Sequence, residues 1–433
     1  MSQFTAPAVS ISLPPNFTYA ESVSLQEGAI PNTDGVPAPN GTNGSDHSNG
    51  TNGSAANLEP PASNLRAPPL KVLQHFKGTF KGHGFNTIFR PNNNKAGFSE
   101  MNVKPNDDVK DNILQLNITA ETQVFSTPLG AVPNRGLDDQ PDIALDGISY
   151  TQTIIDLTEK VKGRQQPVIH FEPGLWMRVP KTEDPTLAAS YSRMASIPHG
   201  TTINAQCFDQ AVITNGAPNI DTAGITPFLI RADETQAKSF IPFASQQATD
   251  STTHRLPQDL EPFIKNSSIT QEMIDNPNSI LTKANKGKTI TNTTTFTVST
   301  DSQPGGGTRN IGFLVSGKAP GTGGPSNADA VSMSATYWVS TVQAKVELKP
   351  WKPTAQKPFR TFSPAAHSRH DGVPTFVVRD EIKTARTVTV EYTQIQYSQT
   401  VMLNFAKLSW PHVSVATLAP SDIPLVEAII ARN

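Results

Sequence analysis

Apolar and polar residues alternate along much of the chain with the two-residue period of β-strands. The longest run, Ala330–Leu348 (AVSMSATYWVSTVQAKVEL), puts Val331, Met333, Ala335, Tyr337 and Val339 on one face. Beyond Ser340 the apolar face becomes Val342, Ala344, Val346 and Leu348. Thr387–Phe405 does the same, with Val388, Val390 and Tyr392 followed by Ile395, Tyr397, Val401, Leu403 and Phe405. A face change within one strand predicts a bulge or a passage between two packing environments.

Earlier segments carry the same period. In Gly78–Arg90, Phe80 and Ile88 oppose Phe85, Thr87 and Phe89. Gly82 and Gly84 lie on the Phe80 face, where they predict a barrel bend or the close approach of a backbone or ligand, with a hairpin loop as the alternative. Asn112–Phe125 predicts Leu114, Leu116 and Ile118 inward, and Gln115, Asn117 and Thr119 outward. Ile143–Leu157 contains Asp146-Gly147, a hairpin-turn pair. Val168–Val179, Ile197–Ala205, Thr289–Ser299 and Lys407–Leu418 read as further strands.

A helical pattern occurs in Leu256–Phe263 and Ser268–Leu281, with Ser268 or Thr270 as cap and Pro277 limiting the second helix. Roughly ten strands against one or two short helices, without βαβ alternation, predict a mainly β fold. A closed antiparallel barrel, or two barrel-like halves, leaves the fewest exposed edges. Residues 1–65 are rich in Pro, Asn, Gly, Ser and Thr and include the repetitive NGTNGSDHSNGTNGS at Asn40–Ser54. Such a segment buries too little apolar surface to offset its ordering entropy. The expected organisation is therefore a disordered tail over 1–65 and a barrel domain over 66–433, with a helical insertion around 256–285.

Composition narrows the function. A net charge of −2 with no basic face argues against nucleic acid. A single cysteine, Cys207, allows neither an intrachain disulfide framework nor a Cys-based zinc site. Neither a secretory signal nor a run of about 18 apolar residues is evident, so a cytoplasmic protein without a membrane span is expected. P-loop, G-x-G-x-x-G, H-E-x-x-H and G-x-S-x-G patterns are absent. His367 and His370 precede Asp371 in SPAAHSRHDG, but this Pro-flanked polar stretch reads as a solvated loop, and no metal is expected.

The chemistry that survives centres on Val168–Gln206. Strand alternation gives His170 and Glu172 a common face, and Pro173-Gly174 predicts a break in the ladder. Trp176 and Arg178 then share a face opposite Leu175, Met177 and Val179. His199 stands between Pro198 and Gly200 beside Ile197, Thr201, Ile203 and Ala205. His170, Glu172 and His199 are the candidate acid–base groups. Trp176, Arg178, Tyr337, Tyr392, Trp410 and His412 are candidates to line a pocket for a small hydrophobic substrate. Structural hydrogen bonding at barrel rims, and plain core packing of the aromatics, are the competing readings.

GTFKGHGFNTIFR, IHFEPGLWMRVP, RMASIPHGTTINAQ and QYSQTVMLNFAKLSWPHVSVATL resemble a family of fungal proteins from secondary-metabolite gene neighbourhoods. The resemblance covers roughly Leu70 to Leu418 and implies calycin-like (lipocalin-related) β-barrel architecture. Fungal proteins of that architecture include cofactor-free cyclases, among them hetero-Diels–Alderases that join a quinone methide to a terpene alkene. The resemblance thus implies a polyketide- or terpene-derived substrate inside the barrel. The opening G-T-F-x-G-x-G also resembles the G-x-W-x-G-x-G start of nitrobindin-like haem barrels, with Phe80 in place of the Trp. That alternative implies haem held by His412 or His199. A carrier without chemistry is the third expectation.

Overall fold

The computed structural model describes residues 66–91, 112–158, 165–197, 200–207, 211–230, 239–253, 255–301, 306–310 and 328–429. The expected tail, 1–65, lies outside them, as does His199. Among the described residues the alternating segments form ten long antiparallel strands. They are β1 (Gly78–Pro91), β2 (Asn112–Phe125), β3 (Ile143–Asp156), β4 (Val168–Val179) and β5 (Ser190–Ser196). β6 (Thr201–Cys207), β7 (Thr289–Ser299), β8 (Asp329–Leu348), β9 (Arg386–Phe405) and β10 (Leu408–Ser421) complete the set.

Each strand pairs with the next in sequence, β10 returns to β1, and β6 meets β7 through Ser299 and Gln206. The sheet therefore closes as one up-and-down barrel, compatible with calycin-like architecture, rather than as two halves.

All ten strands feed one interior cluster: Phe80, Phe125, Tyr150, Trp176, Tyr191, Ala205, Phe296, Tyr337, Tyr397 and Leu418, in strand order. A 3-10 turn at Lys71–His75 adds Val72, Leu73 and the following Phe76. The Phe76 ring centroid lies 5.0 Å from Phe125 and 5.5 Å from Trp176, so the segment before β1 closes one end of the barrel.

Two further cores lie against the outer face. Phe85, Phe89, Leu114, Leu116, Val413 and Val415 pack on α2 (Gln271–Asp275) and α3 (Ser279–Asn285) through Met273, Ile274, Ile280 and Leu281, with the half-buried Phe263 of α1 (Glu261–Lys265) against the same core. The Thr270 hydroxyl caps α2 by accepting from Met273 N, and Pro277 falls between α2 and α3. Val342, Val346, Val390 and Tyr392 form the other outer core with Phe362, Phe376 and α4 (Leu425–Ala428).

These outer cores correct several expectations. Leu114 and Leu116 face outward beneath the helices, whereas Asn117, Thr119, Glu121 and Gln123 share the Phe125 face of β2 and look into the barrel. The apolar side of β2 is thus its covered outer side. The face changes in β8 and β9 do not come from an extra residue in either strand, since the β8–β9 register runs unbroken from Ser332 to Leu348; the bulge near Ser340 lies in β7, whose register against Val342 and Thr341 shifts between Ile290 and Asn292. What changes is the packing partner, from barrel interior to outer core. Val331 is turned out to 40 % exposure where the register shifts between Ala330 and Ser332.

Asp146-Gly147 lies within β3, paired with Arg178 and Met177, and is not a turn. The Asp146 carboxylate accepts from Gly130 N and Gly147 N. Gly82 and Gly84 lie within a strand, not a hairpin loop. A Cβ on Gly82 would stand 1.9 Å from the Thr417 carbonyl oxygen, and one on Gly84 2.2 Å from that of Val415.

Candidate functional site

Three adjacent strands build the centre of the site. Register places Tyr150 opposite Gly174, Gln152 opposite Glu172, and Trp176 opposite Arg193. Alternation then turns Tyr150, Gln152, Glu172, Trp176 and Arg193 inward together. The expected ladder break at Pro173-Gly174 does not occur; the β3–β4 register shifts instead between Ile154 and Ile155. Gly174 is needed because a Cβ there would lie 2.5 Å from the Tyr150 ring.

Arg193 is the hub. Its Nη2 donates to Glu172 Oε1 at 2.6 Å, its Nε to Tyr150 Oη at 2.8 Å, and its Nη1 to Tyr337 Oη at 2.8 Å and Gln399 Oε1 at 2.7 Å. Tyr150 donates its own hydroxyl to Glu172 Oε1. His170 Nε2 stands 3.1 Å from Glu172 Oε2. Trp176 lies edge-on to Tyr337 at 5.1 Å, and Phe296 stacks on Tyr337 at 5.4 Å. The Glu172 and Arg193 side chains are buried, while His170 retains 18 % exposure and carries the cluster to the rim. Burial pushes the Glu172 carboxyl up, but the Arg193 charge, aided by His170 and Tyr150, outweighs it and holds the group at about 2. Burial pushes Tyr150 and Tyr337 up, so both phenols stay neutral.

A second carboxyl lies on β2. Glu121 Oε1 accepts from Gln123 Nε2 at 2.7 Å and Gln152 Nε2 at 2.8 Å, and its Oε2 from Tyr397 Oη at 2.7 Å. Burial pushes this carboxyl up, and the hydrogen bonds from Tyr397, Gln123 and Gln152 only partly offset it. Glu121 and Glu172 therefore occupy one barrel with their acidities driven apart, the arrangement that separates acid from base roles in enzymes.

His412 belongs to a different row of the interior. Asp156 accepts from Asn117 Nδ2 at 2.8 Å and from Thr158 N. Asn117 therefore turns Oδ1 to Asn86 Nδ2 at 3.1 Å, and Asn86 turns Oδ1 to Ser414 and to His412 Nε2, each at 2.7 Å. The amides are thereby fixed, and His412 Nε2 must be the donor. An axial iron ligand needs that nitrogen's lone pair, so these residues do not fit haem bound through His412 Nε2.

The other predicted residues scatter. Arg178 stacks on Tyr191 at 4.8 Å and donates to the Ser190 carbonyl. Tyr392 faces the outer core of α4, and Trp410 packs outside with Phe89, Phe243 and Phe405. The structure thus unites His170, Glu172, Trp176 and Tyr337, and adds Glu121, Tyr150 and Arg193, which the sequence reading missed. His370 and Asp371 are buried, not solvated; Asp371 pairs with the buried Lys288.

Cavities of about 540 Å³, lined by Phe228, Phe240 and Met402, and of about 250 Å³, lined by Val179, Leu187 and Gln206, lie away from the ionisable cluster. Around that cluster the interior is filled by side chains, Phe76 and Trp176 foremost. Among the described residues no group of three or more His, Cys, Asp or Glu is placed to hold a metal ion, and no helix is long and apolar enough to cross a membrane.

The fold and site define a closed ten-stranded barrel with a buried ionisable cluster inside. No protein-family model, curated protein or solved structure matches the chain.

Proposed function

We propose that the protein is a cofactor-free cyclase of fungal secondary metabolism. In this reading a polyketide- or terpene-derived substrate loses water inside the barrel to give a quinone methide, which closes on an alkene by hetero-Diels–Alder addition. The observation that carries the reading is the Glu172–Arg193–Tyr150 cluster, set in an aromatic wall and linked to the rim by His170.

Each part has a task. Glu172, held ionised by Arg193, provides a fixed charge against which a polarised substrate orients. His170 exchanges protons between rim and interior, a contribution of ~10²–10⁴-fold for a positioned acid or base. Trp176 and Tyr337 supply flat surfaces that hold diene and alkene together, and good orientation is worth ~7–11 kcal/mol. Because Phe76 packs against Trp176, substrate admission displaces that ring.

The test incubates the full-length protein with an ortho-hydroxybenzyl alcohol and a trisubstituted alkene and follows rate and enantiomeric excess of the chroman product. An enzyme-dependent excess, reduced ~10²-fold or more in rate by His170→Ala, supports the cyclase. Unchanged rate and stereochemistry across a panel of such alcohols eliminates it and leaves a carrier. A Soret band in the purified protein would point to haem.

A further inference from the structure

Glu121 takes no part in the assignments above, yet it is an interior carboxyl held by neutral groups. Its side chain is 3 % exposed, and among the described residues no Lys, Arg or His stands within ion-pairing distance of it. Arg193, the cation of the cluster, is committed to Glu172, Tyr150, Tyr337 and Gln399. The groups that touch Glu121 are two neutral amides and a neutral phenol. Gln152 donates to Glu121 and is the register partner of Glu172 on the neighbouring strand. Ionising Glu121 would leave a carboxylate with no cation in contact in a water-poor interior, a state that desolvation opposes.

We propose that Glu121 is held as a neutral carboxylic acid and is the group that gives its proton to a neutral oxygen, hydroxyl or carbonyl, of a mostly apolar molecule in the barrel. Burial raises its proton affinity, the bonds from Tyr397, Gln123 and Gln152 pull it back, and a charged His170 pulls in the same direction. A neutral acid has one O–H to donate, which selects an acceptor oxygen and disfavours an anionic ligand.

The proton transfer rests on the cyclase reading. The Glu121 O–H bond breaks as the benzylic hydroxyl of the substrate takes the proton. The C–O bond breaks with its electron pair leaving as water. The substrate's phenolic proton then passes to the Glu121 carboxylate, which restores the acid and leaves a neutral quinone methide.

Infrared spectroscopy of the full-length protein with ¹³C-labelled glutamate tests the proton directly. The expected result at pH 7 is a carboxylic-acid C=O stretch that shifts with the label, disappears in Glu121→Gln and survives in Glu172→Gln. Absence of that band in the folded wild type overturns the inference whatever the turnover. If Glu121→Gln does not fold, the ¹³C NMR titration of the wild-type carboxyl decides: a midpoint above neutrality supports the inference and one near that of a free glutamate overturns it. Turnover of the hydroxybenzyl alcohol should fall at least ~100-fold in Glu121→Gln. A band without any wild-type turnover overturns the cyclase reading and leaves the stored proton established.

Discussion

Arg193 Nη2 lies 2.6 Å from Glu172 Oε1 with both side chains shut off from solvent, and the guanidinium is satisfied by Tyr150, Tyr337 and Gln399 as well. A buried pair of this kind is a weak net stabiliser against an apolar substitute, because desolvation offsets its attraction. Removing one member is another matter, since it strands the other charge.

Arg193→Met is accordingly expected to cost about 3–5 kcal/mol in urea unfolding. The double variant Arg193→Met, Glu172→Leu should recover much of that loss. A single-variant cost under ~1 kcal/mol, the range of an exposed pair, would contradict the buried geometry.

Glu172 sets part of the acid stability. Its folded value of about 2 lies below the ~4.3 of a free glutamate, so its contribution is present above that unfolded value and is lost as pH falls through the folded one. Stability should drop between pH ~4.3 and about 2, with a shallower drop in Glu172→Gln. Glu121, whose affinity is raised, acts with the opposite sign: its contribution is present at low pH and lost as pH rises. Urea midpoints across pH for the two Gln variants distinguish these, and identical acid slopes would refute the Glu172 assignment.

Gly174→Ala should destabilise by about 1–3 kcal/mol, because its Cβ would meet a Tyr150 ring that Arg193 and Glu172 pin in place. The cost should largely vanish in a Tyr150→Ala background, read as a double-mutant cycle. An equal cost in both backgrounds would mean that strand pairing, not the ring, requires the glycine.

Lys288→Met leaves Asp371 buried and unpaired. Asp371 also accepts from His367 N, and its carbonyl oxygen is 3.2 Å from His83 Nδ1, so the pair fastens the loop around 367–372 to the barrel wall. Amide exchange across that loop should accelerate at least ~10-fold, about 1.4 kcal/mol of local opening. Unchanged protection would show that the loop is held by Gly372 and its neighbours against β10.

Strand alternation gives the strands and the shared face of His170 and Glu172, because a two-residue period fixes faces wherever a strand forms; the antiparallel barrel needs also the lack of βαβ alternation and the penalty on open edges. It does not say which face is the interior. On β2 the row Asn117, Thr119, Glu121, Gln123 is polar and looks like a solvent side; only the helices over Leu114 and Leu116 make it the inner one. Arg193 was readable in SYSRMAS, where it shares parity with Tyr191 and Ala195, an arginine on an otherwise apolar face. Its partners were not, since Tyr337 and Gln399 lie far along the chain. Trp410 and Tyr392 show the converse: strand aromatics with interior credentials, claimed by outer cores that periodicity cannot foresee.

The β6–β7 junction has a mechanical consequence. Ser299 and Gln206 are its register pair, while β6 also pairs with Gly307–Asn310 and β7 with Val212–Asn215. Among the described residues every other junction carries six or more register pairs; this one is fastened like a garment by a single button. Thermal breathing of the wall should concentrate there, beside Phe296, whose ring stacks on Tyr337. A disulfide stapled across that junction would stiffen the whole cylinder at its weakest line.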